Sequence, residues 1–200
     1  ITDWQDKYKP KLNGEPIALE NDGRSRALAI APDASRFVLG MEHGLRAFRA
    51  GGGELWSKAI PGVTWGVNVS RDGRLAVAAH GDGTIRWRRL SDGQELLALF
   101  VHAIDRRFVA WTPKGYYAAS PGAEDLIGWH VNRDWDHAPD FYPASRFRDR
   151  FNRPDIVKRI RYTLHHVEER PRSVRWTFVK GELMRDNHGS WTLEPTPDGK

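Results

Sequence analysis

Apolar and polar residues alternate at every second position within short segments of residues 63–100, and tight turns separate the segments. The turns are Ser-Arg-Asp-Gly at 70–73, Gly-Asp-Gly at 81–83 and Ser-Asp-Gly at 91–93. A period of two is typical of β-strands, and glycine supplies the positive φ that tight hairpin turns need. The pattern predicts an antiparallel meander of four strands. The alternating apolar positions on its first two strands are Val67, Val69, Leu75, Val77 and Ala79.

The same unit occurs upstream and begins again downstream. Residues 28–33 (LAIAPD) match residues 67–72 (VNVSRD), and the VAWTPKG segment at 109–115 restarts the pattern. Equivalent turn positions recur after 39 and then 42 residues, counted from Ala31 to Ser70 to Thr112. A recurring four-stranded sheet of about 40 residues is typical of the blades of a β-propeller. The chain is therefore predicted to be mainly β, with about three four-stranded antiparallel blades.

Four segments follow from these patterns. Residues 1–22 are a polar lead-in with an edge strand expected at 16–19, and residues 23–143 hold the blades and end in a loop from residue 132. Residues 144–160 are a helical connector, which Pro154 divides into two short helices because proline interrupts a helix. Residues 161–200 are a terminal antiparallel β-meander whose strands are expected at 161–168, 173–180 and from 190.

The amino-acid composition excludes several kinds of chemistry. The 200 residues include nine tryptophans, 19 glycines and no cysteine, so disulfides, thiolate metal sites and a cysteine nucleophile are excluded. The formal charge of +5 is modest for this length. Neither a membrane span nor a secretory signal is recognisable, and we expect a cytoplasmic protein without a cofactor.

Several motifs carry a resemblance to a known family. They are LAIAPD at 28–33, GDGTIRW at 81–87, WTPKGYY at 111–117, LIGWHVN at 126–132 and FYPASRFR at 141–148. Over residues 1–160 the chain resembles the C-terminal part of bacterial WD-repeat β-propellers that are joined to caspase-like peptidase domains. The resemblance implies a noncatalytic protein–protein interaction scaffold, with any peptidase activity in a domain that this chain does not contain. Its expected partners are further propeller blades or such a peptidase domain.

Residues 161–200 resemble a different family. WTFVKGELM at 176–184 and GSWTLE at 189–194 are similar to consecutive strands of START-like, polyketide-cyclase-type lipid-binding domains. This resemblance implies a fragment that binds hydrophobic ligands or is cyclase-like, and it stands as the alternative function. Two unrelated families within 200 residues lead us to expect a truncated chain, a chimera or an unusual fusion.

Candidate chemistry is sparse in the sequence. Asp134, Asp136 and His137 could hold a metal, but their loop lacks the glycine and terminal glutamate of a calcium loop, so a solvated loop is expected. Glu124 and Asp125 are expected to be solvated as well. A basic cluster could contact an acidic protein, whereas nucleic acid is the weaker alternative. The candidate binding surface consists of Arg146, Arg148, Arg150, Arg153, Lys158 and Arg159.

Overall fold

The computed structural model describes residues 1–17, 19, 22–165, 173–177 and 188–192. The described chain is mainly β, its strand pairs are antiparallel and its helices are few and short. It divides into two compact units, Ile1–Leu164 and His165–Lys200.

A four-stranded sheet in simple sequential order forms the first repeat, as the alternation predicts. In the described part of the N-terminal arm, the named strands are a short hairpin, Lys11–Leu12 (β1) with Glu15–Pro16 (β2). The edge strand expected at 16–19 is wrong at residues 17 and 19, which lie outside any strand. Proline cannot donate to a strand ladder, which keeps this pairing short. The strands of the sheet, called sheet 1, are β3 (Ser25–Ile30), β4 (Arg36–Met41), β5 (Gly44–Arg49) and β6 (Glu54–Ala59).

The second repeat also forms four sequential strands, but its sheet continues into the predicted third blade. The sheet, called sheet 2, has six strands in the order β12-β11-β10-β9-β8-β7. The prediction of a separate third four-stranded blade is therefore corrected, and the described residues contain no closed propeller. The six strands are β7 (Thr64–Val69), β8 (Leu75–His80), β9 (Thr84–Arg89), β10 (Glu95–Val101), β11 (Phe108–Trp111) and β12 (Tyr117–Ala119).

The connection after each repeat explains this difference. After β6 the chain passes Pro61, which has no N–H, and Gly62, whose φ of 110° turns it away to start sheet 2. After β10, the His102 amide donates to the Arg107 carbonyl and closes a tight loop. Strand β11 then pairs back on β10, with Val101 opposite Phe108 and Leu99 opposite Ala110. Pairing in this way satisfies backbone groups that an edge strand would leave open.

The remainder of the first unit packs on the β11–β12 end of sheet 2. The loop expected over residues 132–143 ends in a strand, because β14 pairs with β13 in a hairpin. The two helices predicted around Pro154 are confirmed, since the second begins at that residue. The elements are a 3₁₀ turn (Ala123–Leu126), β13 (Gly128–Val131), β14 (Asp140–Pro143), a second 3₁₀ turn (Ala144–Phe147), α1 (Arg148–Phe151) and α2 (Pro154–His165).

The expected strand at 161–168 is wrong where the structure describes it, because α2 continues through His165. The apolar spacing of Ile156, Ile160 and Leu164 is helical, and no glycine or proline stops the helix before that point. In the second unit, β15 (Ser173–Thr177) pairs antiparallel with β16 (His188–Thr192), as expected for strands of the predicted meander. Residues 166–172, 178–187 and 193–200 of the START-like segment lie outside the described residues.

Sheets 1 and 2 pack face to face through small residues. Val38 and Ala47 of sheet 1 and Ala76 and Ala78 of sheet 2 are almost fully buried in one apolar cluster. The Trp56 indole spans the interface and donates a 2.8 Å hydrogen bond to the Leu90 carbonyl. Alanine at these positions lets the two backbones approach closely, and the contact removes one face of each sheet from water.

The other face of sheet 1 is covered by the N-terminal arm. Phe37 and Phe48 lie opposite each other on β4 and β5, and their rings stack at 5.0 Å between centroids. Residues Trp4, Leu12 and Ile17 of the arm pack against this cluster. Sheet 1 thus has an apolar cover on both faces.

The same hydrogen bond from an aspartate side chain to the backbone closes several of the turns. In five turns the aspartate carboxylate accepts a hydrogen bond from the backbone N–H two residues later, which is the geometry of an Asx turn. Because each carboxylate is hydrogen-bonded in its charged form, its pKa is lowered. The five residues are Asp33, Asp72, Asp82, Asp92 and Asp105.

Replacing Gly40 by alanine tests the close approach of the sheets. A Cβ at Gly40 would lie 2.6 Å from Thr64 Cγ2 and 2.9 Å from Val67 Cγ2, so we expect Gly40→Ala to lower the free energy of unfolding by about 1–3 kcal/mol. Gly66→Ala is the matched control, because the nearest atom to its Cβ would be Ala79 Cβ at 3.9 Å. Urea unfolding measures both variants. Equal stabilities of the two variants would contradict the packing described.

Acid should weaken the turns first. The Arg107 backbone N–H, helped by the Arg107 and His102 side chains, lowers the pKa of Asp105 to about 2. An unfolded aspartate titrates near 3.9, so the folded state binds fewer protons and this carboxylate stabilises the fold above about pH 4. That contribution is lost as pH falls from about 4 to about 2. In Asp105→Asn we expect lower stability at pH 7 and a shallower loss in that window, measured by urea unfolding at each pH. An unchanged pH profile would contradict this role.

Candidate docking face

Sheet 2 carries a continuous apolar face on the side opposite sheet 1. Residues paired across neighbouring strands share a face, and one row of such pairs crosses five strands. A second row runs parallel to it, and Val101 paired with Phe108 extends the face. The docking face is defined by these rows, Ala79–Ile85–Leu99–Ala110–Ala118 and Val77–Trp87–Leu97, together with Val101 and Phe108.

The docking face is partly open to solvent. Ile85, Phe108 and Val101 are 36%, 42% and 43% exposed, whereas Ala78 and Ala98 on the opposite face are buried. None of the apolar clusters found within residues 1–164 includes a residue of this face. A contiguous exposed apolar patch of this kind marks an interaction surface in a globular protein.

Thr64 and His80 form a buried polar contact between the sheets. Thr64 Oγ1 lies 3.1 Å from His80 Nδ1 and donates to the Gly44 carbonyl of sheet 1 at 3.3 Å. Burial, reinforced by the positive charge of Arg86, lowers the pKa of His80 to about 4, so the imidazole is neutral at pH 7. A hydroxyl beside an imidazole can serve as a nucleophile and base. This pair is closed to a substrate, however, and it ties sheet 2 to sheet 1.

Glu124, expected to be solvated, is buried and holds the helical segment on sheet 2. Its carboxylate accepts hydrogen bonds from Arg148 Nε at 2.7 Å and Asn152 Nδ2 at 3.0 Å. Tyr117 of β12 lies beneath it, and burial followed by the Glu124 charge raises the pKa of Tyr117 to about 12. The expectation of a solvated Glu124 is therefore wrong, while Asp125 beside it is exposed.

The basic residues of the predicted binding surface differ in the groups that they contact. The Arg148 guanidinium pairs with Glu124, and Arg153 pairs with Asp155 at 2.8 Å. Arg146 lies 4.8 Å from the Tyr142 ring centroid, and Arg150 lies 5.3 Å from that of Phe151. Both contacts fall within cation–π range.

Lys158 and Arg159 are exposed on α2. Arg146, Arg148, Arg150 and Arg153 thus contact carboxylates or rings of their own chain, which reduces what they can offer to a partner. Binding by this basic set stays a prediction.

The acidic loop between β13 and β14 is exposed. His137 Nδ1 contacts the carboxylate of Asp134, and Asp136 is solvent-accessible beside them. Within the described ranges, no group of three or more His, Asp or Glu side chains is arranged to hold a metal ion. No helix in that part of the chain is long and apolar enough to cross a bilayer.

The docking face was missed by sequence reasoning, although a signal for it existed. Strands β8 (LAVAAH) and β10 (ELLALFV) are apolar at nearly every position, whereas a strand with one solvated face alternates. Such runs indicate strands that are covered on both faces. Glu124 gave no comparable signal, because its partners Arg148 and Asn152 lie 24 and 28 residues away in the chain.

Comparison with known proteins yields a distant structural similarity and no family. No family model and no curated protein matches the chain. Among solved structures it is similar to BamB from Moraxella catarrhalis, with a TM-score of 0.39 and 18% identity. The match covers 53% of this chain and 36% of the BamB chain, so the chain spans about a third of that protein's length. A similarity of this degree carries no argument about function.

Removing the Glu124 carboxylate tests its structural role. Glu124→Ala leaves the Arg148 guanidinium and the Asn152 amide without their shared buried acceptor, and we expect the free energy of unfolding to fall by about 1–3 kcal/mol. The Trp129 emission should shift to the red as the helical segment loosens. Asp125→Ala, at the exposed neighbour, is the control and should stay within about 0.5 kcal/mol of the parent. Denaturant unfolding followed by fluorescence measures both, and equal losses would contradict the assignment.

Proposed function

We propose that this chain is a noncatalytic protein–protein interaction scaffold whose docking face receives a further four-stranded antiparallel sheet. The observation that carries the proposal is the apolar face of sheet 2, which is partly exposed at Ile85, Val101 and Phe108. The equivalent row of sheet 1, Val38–Ala47–Trp56, is buried against sheet 2.

The repeat itself supports a sheet as the occupant. In sheet 1, Val38 pairs with Ala47 and Ala47 with Trp56, and this row packs on sheet 2. The row that occupies the same register in sheet 2 is Val77–Trp87–Leu97, which belongs to the docking face. A surface equivalent to one that binds a sheet in the same molecule has the shape and polarity to bind another.

The ion pairs confirm that the two registers are equivalent. Arg46 on β5 pairs with Glu54 on β6 at 2.9 Å. Arg86 on β9 pairs with Glu95 on β10 at 3.2 Å, at matching positions of the second sheet. Both arginines lie on the face opposite the rows just compared, so the two sheets agree in the assignment of their faces.

Stacked repeats also give a physical reason for a partner. Each sheet of such an array buries its apolar faces only against neighbours, so a terminal sheet needs a cover. The N-terminal arm covers sheet 1 at one end. The docking face of sheet 2 is where a further repeat would continue the stack.

The finer part of the proposal concerns the source of that sheet. The motifs that resemble bacterial WD-repeat propellers, among them GDGTIRW at 81–87 and LIGWHVN at 126–132, favour a blade of such a propeller. We further propose that a caspase-like peptidase domain accompanies it and that any catalysis belongs to that domain. The START-like alternative rests on residues 161–200 alone and stays a sequence prediction.

Site-specific photo-crosslinking tests the proposal. A photoreactive phenylalanine replaces Ile85 in the full chain, expressed in its source cells, and the crosslinked peptides are identified by mass spectrometry. We expect peptides from a β-sheet repeat, because Ile85 lies in the central row of the face. Leu99→Glu should reduce the crosslink at least about tenfold, since a charge would be buried in the interface.

Tyr8, which is 64% exposed in the N-terminal arm, is the control position for the same label. Crosslinks to a polypeptide with a caspase-like domain would support the finer proposal. Crosslinks that are no more frequent from residue 85 than from residue 8, or that join only copies of this chain, would overturn the docking of a further sheet.

A further inference from the structure

A cavity of about 320 Å³ lies on the side of sheet 2 that faces away from the docking face. Trp111 on β11 and Tyr117 on β12 form its wall on the sheet, and Trp129 on β13 and Ala144 at the second 3₁₀ turn close it from the other side. The lining is completed by Gly115, Ile127 and Gly128, and the cavity is partly open to solvent. It is independent of the proposed docking of a further sheet, because its residues lie on the opposite face.

The volume is that of a ligand site and not of a packing defect. Protein interiors contain few voids larger than a water molecule, whereas ligand sites begin at about 300 Å³. An apolar cavity of about 150 Å³ can hold benzene, so one of roughly twice that volume accommodates two fused rings.

The lining determines the chemistry of the occupant. None of the lining side chains is charged at neutral pH, and the lining includes two indoles and a phenol ring. A charged ligand would lose its hydration without gaining a counter-ion, whereas a planar aromatic molecule gains ring contacts. We infer that this cavity is a binding site for a small, uncharged aromatic molecule of about two rings.

The walls are held in place by contacts outside the cavity. The Trp129 ring packs at 5.2 Å from Phe147 and at 4.9 Å from Phe151, measured between centroids. The Tyr117 hydroxyl donates to the Ala144 carbonyl at 3.3 Å, which joins the two sides. At Gly128, a Cβ would lie 2.4 Å from the Tyr142 carbonyl oxygen, so the backbone approach here excludes a side chain. A preorganised pocket of this kind loses little entropy when a ligand binds.

The test uses a neutral and a charged probe of the same ring size, 2-naphthol and naphthalene-2-sulfonate. Each is titrated into the full ¹⁵N-labelled chain while the indole N–H signals of its nine tryptophans are followed by NMR. We expect 2-naphthol to bind saturably with a Kd of about 0.1–1 mM and to shift the Trp111 and Trp129 signals. The sulfonate should bind at least about tenfold more weakly.

Variants locate the binding. Ala144→Leu fills the cavity and should weaken 2-naphthol binding at least about tenfold, whereas Ala103→Leu, at an exposed loop position, is the matched control and should not. If Ala144→Leu does not fold, Ile127→Phe fills the cavity from another element and decides the question. Absence of saturable binding, equal binding of the two probes, or binding that survives the filled cavity would each overturn the inference.

Discussion

The contact between the two sheets is the interaction on which the rest of the structure depends. It is made by alanines at 76 and 78, by Gly40, and by the Trp56 indole that reaches the Leu90 carbonyl. Small residues permit this approach, and the area removed from water stabilises both sheets at once. The buried Thr64 hydroxyl, which contacts His80, also helps to fix the relative position of the sheets, since it bonds the first strand of sheet 2 to the Gly44 carbonyl of sheet 1. One sheet without the other would expose an apolar face and an unpaired indole N–H.

This contact also determines which surfaces remain for function. Sheet 1 packs on one side of β7 and β8. The segment around Ala144 packs on the same side of β11 and β12, against Tyr117. The other side of sheet 2 therefore stays apolar and partly exposed. The two candidate sites therefore lie on opposite faces of one sheet. The docking face spans five strands, which suits another sheet, whereas the cavity has the volume and aromatic lining that suit a small molecule.

The local patterns of the sequence predict the strands well, because alternation and aspartate–glycine turns are properties of adjacent residues. Strands β3 to β10 and the helix beginning at Pro154 follow directly from such patterns. The pairing of segments that lie far apart in the sequence is harder to predict. That β11 joins β10 instead of starting a new sheet depends on the loop closed by His102 and Arg107, and the burial of Glu124 depends on partners more than twenty residues away. These are tertiary choices that local periodicity does not encode.

The length of α2 shows how the propensities of single residues can conflict with a longer periodic pattern. The segment from Arg161 contains β-branched and aromatic residues that favour a strand, yet it continues the apolar spacing set by Ile156 and Ile160, and the helix extends to His165. Periodicity over several turns outweighs the propensity of single residues, because a helix already formed adds each further residue at little cost. In sheet 2, too, the pattern of apolar residues along a whole strand is more informative than single residues. Strands β8 and β10 are apolar at nearly every position, which is typical of strands covered on both faces, so the exposed face of sheet 2 is suited to contact with another surface.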